Sequence, residues 1–364
     1  MKIKYPEYGR CIANLACSLL KYYGIEPPNP TLEQADALLE KKYKNIVLIL
    51  LDGMGMNILE KHLAEDGFFH KNLRFDYSST FPPTTVAATT ALTSGLYPNQ
   101  SAWLGWVGYF AEIDRNVVYF FNRDNDTQET IRDFSVTDRF VPYEKLSELI
   151  RKTGVQACEL APWYAPYPKT YGEMCAEIAR LCSTGEGHFI YAYCEQPDKT
   201  MHELGTDDAH ITDILTQLEH QTQTLAERLQ DTLLLITADH GMVNTRCEAL
   251  ADHPDVADCL LRTPSIESRA VNFFVRPEKK NDFERAFKRD FGDNFLLMSK
   301  EEVLGRQLFG TGKDHLRLST MLGDYLAVAV GELTLRTRDK GYIGEHAGLL
   351  QDEMTIPLIA IEKE

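Results

Sequence analysis

In the stretch YCEQPDKTMHELG, residues 193–205, Asp198 and His202 stand four apart, directly after an apolar run and a proline. If a helix begins after Pro197, side chains at i and i+4 share one face. Asp239 and His240 are adjacent in LLLITADHGM, His346 lies in the glycine-flanked GYIGEHAGLL, and Asp52 closes VLILLDGMG. Mixed carboxylate and imidazole donors suit zinc best, with manganese or cobalt as alternatives. Three aspartates and three histidines are too many for one tetrahedral ion with an open position. They match two ions sharing a site, if a nucleophile supplies a seventh ligand. Each cluster also has an ordinary structural reading. Asp198 can cap a helix, Asp52 can hold a turn, and the histidines can be solvated loop residues.

A nucleophile is available in FPPTTVAATTALTSGLYPNQ. Two prolines block helix up to Pro83, so Thr85 falls in the first helical turn, where free backbone N–H groups favour anionic oxygens. A Thr85 alkoxide could attack phosphorus once a cation lowers the hydroxyl pKa. Thr84 is the close competitor, and either threonine could be only an N-cap.

These residues need elements to position them. Ile46–Leu51 is an apolar run without alternation, the mark of a strand covered on both faces of a parallel sheet. MNILEKHLAED reads as the helix behind it. HFIYAYCEQPD and DTLLLITADHG are further strands, each running into an aspartate, with DAHITDILTQLEHQTQTLAERLQ as a helix between them. AVNFFVRP, LAVAVG and MTIPLIAI complete the strands, and KKNDFERAFKRDF is another helix. Strand and helix in alternation, with candidate ligands at strand ends, predict a doubly wound α/β fold. Residues from about 250 to 335 are less regular and fit a small inserted α/β unit. Residues from about 100 to 145, rich in aromatics, read as lining or cover for the site. The N-terminal segment reads as an amphipathic helix packed on the core.

The formal net charge of −16 argues against non-specific attraction to nucleic acid or anionic membranes. No apolar run reaches the length of a membrane span. The eight cysteines are scattered without a CxxC pair, so free thiols and a cytoplasmic location are expected.

The pieces VLILLDGMG, FPPTTVAATTALTSGLYPNQSAW, YCEQPDKTMHELG, LLLITADHGM and GEHAGLLQDEMTIPLIA, in this order over residues 46–357, resemble the alkaline phosphatase superfamily. The likeness is greatest to its type I phosphodiesterase / nucleotide pyrophosphatase branch. The resemblance implies a three-layer α/β/α core with a mostly parallel sheet and a small inserted α/β subdomain. Residues 45–245 and 336–364 would form the metallohydrolase core, 246–335 the insertion, and 1–44 a helical extension. It implies one ion, usually zinc, on Asp198, His202 and His346, and a second on Asp52, Thr85, Asp239 and His240. Counting back ten residues from Gly95 selects Thr85 over Thr84. One departure stands out. Family pyrophosphatases carry an asparagine after the nucleophile, in TFPNH, that binds a phosphate oxygen, whereas this chain reads TVAAT and places Ala88 there.

The expected activity is metal-dependent hydrolysis of a phosphoric ester through a phosphothreonine intermediate, on a small phosphorylated molecule such as a nucleotide or other phosphodiester. No basic residue stands beside Thr85, which tilts the expectation from monoesters toward diesters. Arg246, Arg262 and Arg269 are the cations that could fold back. Trp103 and Trp106, with Tyr109 and Phe110, could stack on a flat group or simply pack. The alternatives are a phosphomonoesterase or a cofactor-independent phosphosugar mutase and, from a different class, a noncatalytic metal-containing binding module. A sulfatase does not fit, because TTVAA lacks the C/S-x-P-x-R setting.

Overall fold

A computed structural model describes residues 2–337 and 341–364. Its central sheet has six strands: β1 (Asn45–Leu51), β2 (Leu73–Ser78), β3 (Gln156–Leu160), β4 (His188–Cys194), β5 (Thr232–Thr237) and β6 (Thr355–Lys363). Their spatial order is β2-β6-β5-β1-β4-β3. β1 pairs in parallel with β4 on one side and β5 on the other, and β4 pairs in parallel with β3. Only β6 runs against its neighbours. Every residue of β1 is buried, as expected for a strand with helices on both faces. The predicted mixed α/β architecture with a mostly parallel core sheet is therefore the observed one.

The flanking helices that matter for the site are α1 (Ile12–Tyr22), α2 (Met56–His62), α3 (Thr85–Ser94), α4 (Tyr171–Cys182), α5 (Asp198–Leu204) and α6 (Ala209–Arg228). The α3 helix runs from the expected Thr85 and stops at Gly95, which takes the left-handed conformation (φ +77°) that only glycine adopts cheaply. In the α1 helix every residue from Ile12 to Leu20 is buried, the polar Asn14 and Ser18 included. The cause is cover from several sides, by α3 and by the short helices Glu33–Leu39 and Leu146–Arg151. Asn14 on α1 donates to Tyr97 Oη at 3.0 Å and so braces the chain just after α3.

A second, antiparallel sheet has seven strands, in the order Phe295–Ser299, Tyr325–Ala329, Ala270–Phe273, Ser265–Ile266, Val107–Phe110, Arg115–Val118 and Arg123–Asp124. The two stretches that look irregular in sequence thus share one sheet, joined where Ile266 pairs with Val107. On one face Val271 and Phe273 pack with Phe283, Phe287 and Phe291 of the helix Lys280–Phe291. On the other, Ala270, Phe110 and Val328 pack with Trp103 and Leu349. Among the described residues no helix is long and apolar enough to cross a membrane. No disulfide forms among them, although they include all eight cysteines.

Candidate metal centre

The three strands β4, β1 and β5 are neighbours, so their carboxyl ends deliver three acidic side chains to one place. Backbone bonds set the register. Asp52 N donates to Cys194 O at 3.0 Å, and Asp198 N donates to Asp52 O at 3.0 Å. Gly53 N donates to Asp239 Oδ1 at 3.0 Å. Gly53 is required at its position, because it has φ +74° and a Cβ there would lie 2.9 Å from Asp198 Cβ. Asp198 does not end β4 but opens α5 four residues later, so that His202 follows one turn on along the same face.

Two groups of ligand atoms result, one of Asp198, His202 and His346, the other of Asp52, Asp198 and His240. Within each group the atoms lie within 4.8 Å of one another. Nε2 of His202 is 3.4 Å from Asp198 Oδ2, and Nε2 of His346 is 3.8 Å from Asp198 Oδ1. Nε2 of His240 is 3.3 Å from Asp52 Oδ1 and 3.5 Å from Asp239 Oδ2. Asp198 therefore stands between the groups, and Asp239 meets the second group through His240. Thr85 Oγ1 lies 3.3 Å from His240 Nε2 and 3.5 Å from Asp52 Oδ2. All seven residues singled out as ligands come together.

The imidazoles share one arrangement. Nδ1 bonds a backbone carbonyl in each: Gly344 O for His202, Gly241 O for His240 and Pro83 O for His346. A carbonyl can only accept, so Nδ1 carries the proton and Nε2 is left as a lone pair facing the carboxylates. That is the tautomer a cation needs. Asp52 Oδ1, Asp198 Oδ1 and Asp239 Oδ2 are buried without a hydrogen-bond partner. Such oxygens are costly unless something positive compensates them. The protonation energetics agree. Burial pushes Asp52 up to about 6 and, with the Asp52 charge beside it, Asp239 up to about 8. Burial also raises Asp198 well above the usual carboxylate range, and holds His202 below and His346 well below the ordinary imidazole value. The residues present fit two divalent cations, since each unpaired oxygen and each bare Nε2 would find its partner.

Thr84 occupies the N-cap position of α3, but its hydroxyl does not cap the helix. It donates instead to Glu267 Oε1 at 2.6 Å, an acceptor that also takes Trp106 N at 2.7 Å. The first-turn N–H groups beside Thr85 therefore receive no side-chain cap, and stay available to an anion.

The site opens into a cleft of about 1570 Å³ between the carboxyl ends of the core strands and the second sheet. Trp106 lines it together with Phe120, Phe121 and Trp163. Trp103 does not line it, contrary to its candidacy as a substrate contact. Its ring is buried against Tyr119 at 5.0 Å, and its indole N–H is spent on Val141 O at 2.9 Å. Tyr109 and Phe110 are buried as well. None of the three expected arginines lines the cleft. Arg269 is fully buried, Arg262 sits over Tyr109 with Asp114 beside it, and Arg246 points toward Glu248. The cations that do line the cleft are Arg123, Lys145, Lys199 and Arg336. Arg336 bonds Glu345 Oε1 at 2.7 Å, Lys145 pairs with Glu159, Lys199 with Glu195, and Arg123 lies over the Phe121 ring. Glu267 and Glu345, both in the lining, escaped sequence reasoning. Glu345 adjoins His346 and could have been flagged by that, whereas Glu267 in PSIESRA carries no local signal.

Comparison with known proteins agrees with this arrangement. The family described as type I phosphodiesterase / nucleotide pyrophosphatase matches residues 104–302, more than half of the chain. The matched segment contains Asp198, His202, Asp239 and His240. No curated protein sequence matches the chain. Among solved structures, murine ectonucleotide pyrophosphatase / phosphodiesterase 5, in an inactive form in complex with AMP, superimposes with a TM-score of 0.65 at 16% identity over 88% of each chain. The human protein of the same name gives 0.65 at 19% identity, over 86% of this chain and 87% of that one. At these identities the likeness speaks for the fold.

Proposed function

The chain belongs to the type I phosphodiesterase / nucleotide pyrophosphatase family, and from that premise we propose that it hydrolyses phosphodiesters at a two-metal centre through a phosphothreonine intermediate. The observation that carries the reading is the position of Thr85 Oγ1, 3.3 Å from His240 Nε2 and 3.5 Å from Asp52 Oδ2, at the N-terminus of a helix whose first turn is uncapped.

Asp198, His202 and His346 would hold one divalent ion, and Asp52, Thr85, Asp239 and His240 the other, with Asp198 reaching toward both. Zinc is the proposed metal, given the imidazole and carboxylate donors. Bound there, such a pair supplies a lowered hydroxyl pKa and compensation for charge building on the phosphoryl and leaving oxygens. The chain does the rest. Asp52 and His240 fix the direction of Thr85 Oγ1. The first-turn N–H groups of α3 receive a non-bridging phosphoryl oxygen. Thr85 Oγ1, its proton released to solvent, attacks phosphorus in line. The Oγ1–P bond forms as the P–O bond to the ester group breaks, and the departing oxygen takes a proton from water and leaves as the alcohol. Water then attacks from the side the leaving group vacated: its oxygen bonds phosphorus, the Oγ1–P bond breaks, the phosphate monoester departs, and Thr85 regains a proton as the hydroxyl.

Diesters are the proposed class because the cleft beside Thr84 presents the carboxylates of Glu267 and Glu345, while three of its lining cations, Arg336, Lys145 and Lys199, are already paired with Glu345, Glu159 and Glu195. A doubly charged monoester would meet more repulsion there than a singly charged diester. The AMP held by the murine protein makes nucleotide-bearing diesters the first to try. The scattered cysteines, with no disulfide among the described residues, support a cytoplasmic setting. The test is turnover of bis(p-nitrophenyl) phosphate and p-nitrophenyl phosphate by the zinc-loaded chain, with and without a chelator. The reading expects chelator-sensitive hydrolysis that is faster on the diester. No turnover of either ester at any metal loading would refute it.

A further inference from the structure

Arg269 and Glu353 form an ion pair in which both side chains are wholly buried. Arg269 Nε donates to Glu353 Oε1 and Nη2 donates to Oε2, each at 2.8 Å, the fork-to-carboxylate geometry. Neither partner stops there. Arg269 Nη1 donates to Leu333 O at 2.8 Å and Nη2 to Gly331 O at 3.1 Å. Its own backbone oxygen accepts from Ala329 N, which anchors it to the second sheet. Glu353 Oε1 accepts from Gly348 N at 2.7 Å, and Oε2 from Leu350 N at 3.3 Å.

Gly348 lies two residues beyond His346. On the other side, the backbone carbonyl of Glu353 accepts Gly241 N at 2.9 Å, and Gly241 O is the group that orients His240. The approach is so close that a Cβ on residue 241 would fall 1.9 Å from Asp352 O. One residue is thus bonded to both loops that carry these histidines, whose rings stack at 3.7 Å.

A buried ion pair contributes little net stability, because desolvation offsets the attraction. Its directional bonds do fix geometry. We propose that the Arg269–Glu353 pair is the positioning device of the metal centre, holding the His240 and His346 loops in register with each other and with the second sheet. The inference rests on the metal-centre reading above. Neither residue touches substrate or ligand atoms, so both act through the backbone they hold. Partners of this kind are worth roughly 10–100-fold in metal affinity.

The test is cobalt binding by the full chain, measured as affinity by competition with a chromophoric chelator and as the visible absorption of the bound ion. Wild type is compared with Glu353→Gln and with the double variant Arg269→Met/Glu353→Met. The double variant removes both charges together and so avoids an orphaned buried ion. It still leaves Gly348 N without its acceptor. Both variants, with wild-type far-UV circular dichroism, are expected to bind cobalt roughly 10–100-fold more weakly and with shifted visible bands. A lower melting temperature alongside wild-type affinity and an unchanged spectrum would overturn the inference, because the pair would then be only structural. A wild-type chain that bound no cobalt would instead overturn the metal reading beneath it. If the single variant does not fold, the double variant decides.

Discussion

The hydroxyl oxygen of Thr85 lies 3.3 Å from Nε2 of His240. These two residues are 155 apart in sequence, one opening α3 and the other following β5. The contact is what the proposed nucleophilic role of Thr85 rests on. Thr85→Ala is expected to lower turnover by on the order of 10³-fold or more while metal content stays near wild type. Steady-state rates paired with elemental analysis check this. Turnover close to wild type in the variant would remove Thr85 from the chemistry.

Asp198 belongs to both groups of ligand atoms, whereas His202 belongs to one. The two positions should therefore respond differently. His202→Ala is expected to release one ion and retain the other. Asp198→Asn is expected to weaken both, by about tenfold or more. Native mass spectrometry across a zinc titration distinguishes the two patterns.

The chelated protein should lose stability as pH rises from 6.5 to 8.5. Burial raises Asp239 to about 8 and Glu267 to about 7, with Asp198 also raised. A carboxyl whose pKa is higher in the folded chain holds its proton more tightly there than in the unfolded chain. Its contribution is complete below the unfolded value, near 4, and vanishes as pH climbs through the folded value. His202 and His346 are shifted downward and act in the opposite sense, but only below about 6.5, which sets the lower limit of the window. The melting temperature with chelator is expected to drop by on the order of 5 °C across it, and the gap to the zinc-loaded protein to widen. Thermal melts at fixed ionic strength are the check.

Glu267 stands against Thr84 at 2.6 Å and lines the cleft. Glu267→Gln should raise the rate on p-nitrophenyl phosphate relative to the bis-ester by about tenfold at pH 8.5, where the native side chain is ionised. An unchanged ratio of the two kcat/KM values would show that the carboxylate does not discriminate between them.

Trp103 and Trp106 are three apart and do different jobs. Trp106→Ala is expected to raise KM while leaving the melting temperature near wild type. Trp103→Ala should cost about 3–5 kcal/mol of stability, as for other large buried side chains. Denaturant unfolding together with KM separates the two.

What could be read from the sequence follows the range of the forces involved. Ile46–Leu51 announces a central parallel strand, because both faces must be apolar when both are covered. Asp52, Asp198 and Asp239 could be placed because each follows such a strand, and strand ends converge. Of the second sheet only the strands Ala270–Phe273 and Tyr325–Ala329 were legible, in AVNFFVRP and LAVAVG; its joining with the 100–145 stretch was not. Val107–Phe110 and Ser265–Ile266 are short, distant in sequence, and meet through a single pair, Ile266 with Val107. Glu267 was invisible for the same reason, reaching Thr84 across 183 residues. The fate of Trp103 depends on Val141 O and Tyr119, neither of which its neighbours in sequence reveal. Burial of α1 on all sides required knowing that α3 and two short helices close over it.

The most direct measurement is anomalous diffraction at the zinc edge from crystals of the zinc-loaded chain. Two peaks are expected. One should lie about 2.0–2.2 Å from Asp198, His202 and His346, and the other at similar distances from Asp52, Thr85, Asp239 and His240. A map with no peak among these side chains, or a single peak remote from Thr85, would contradict the account.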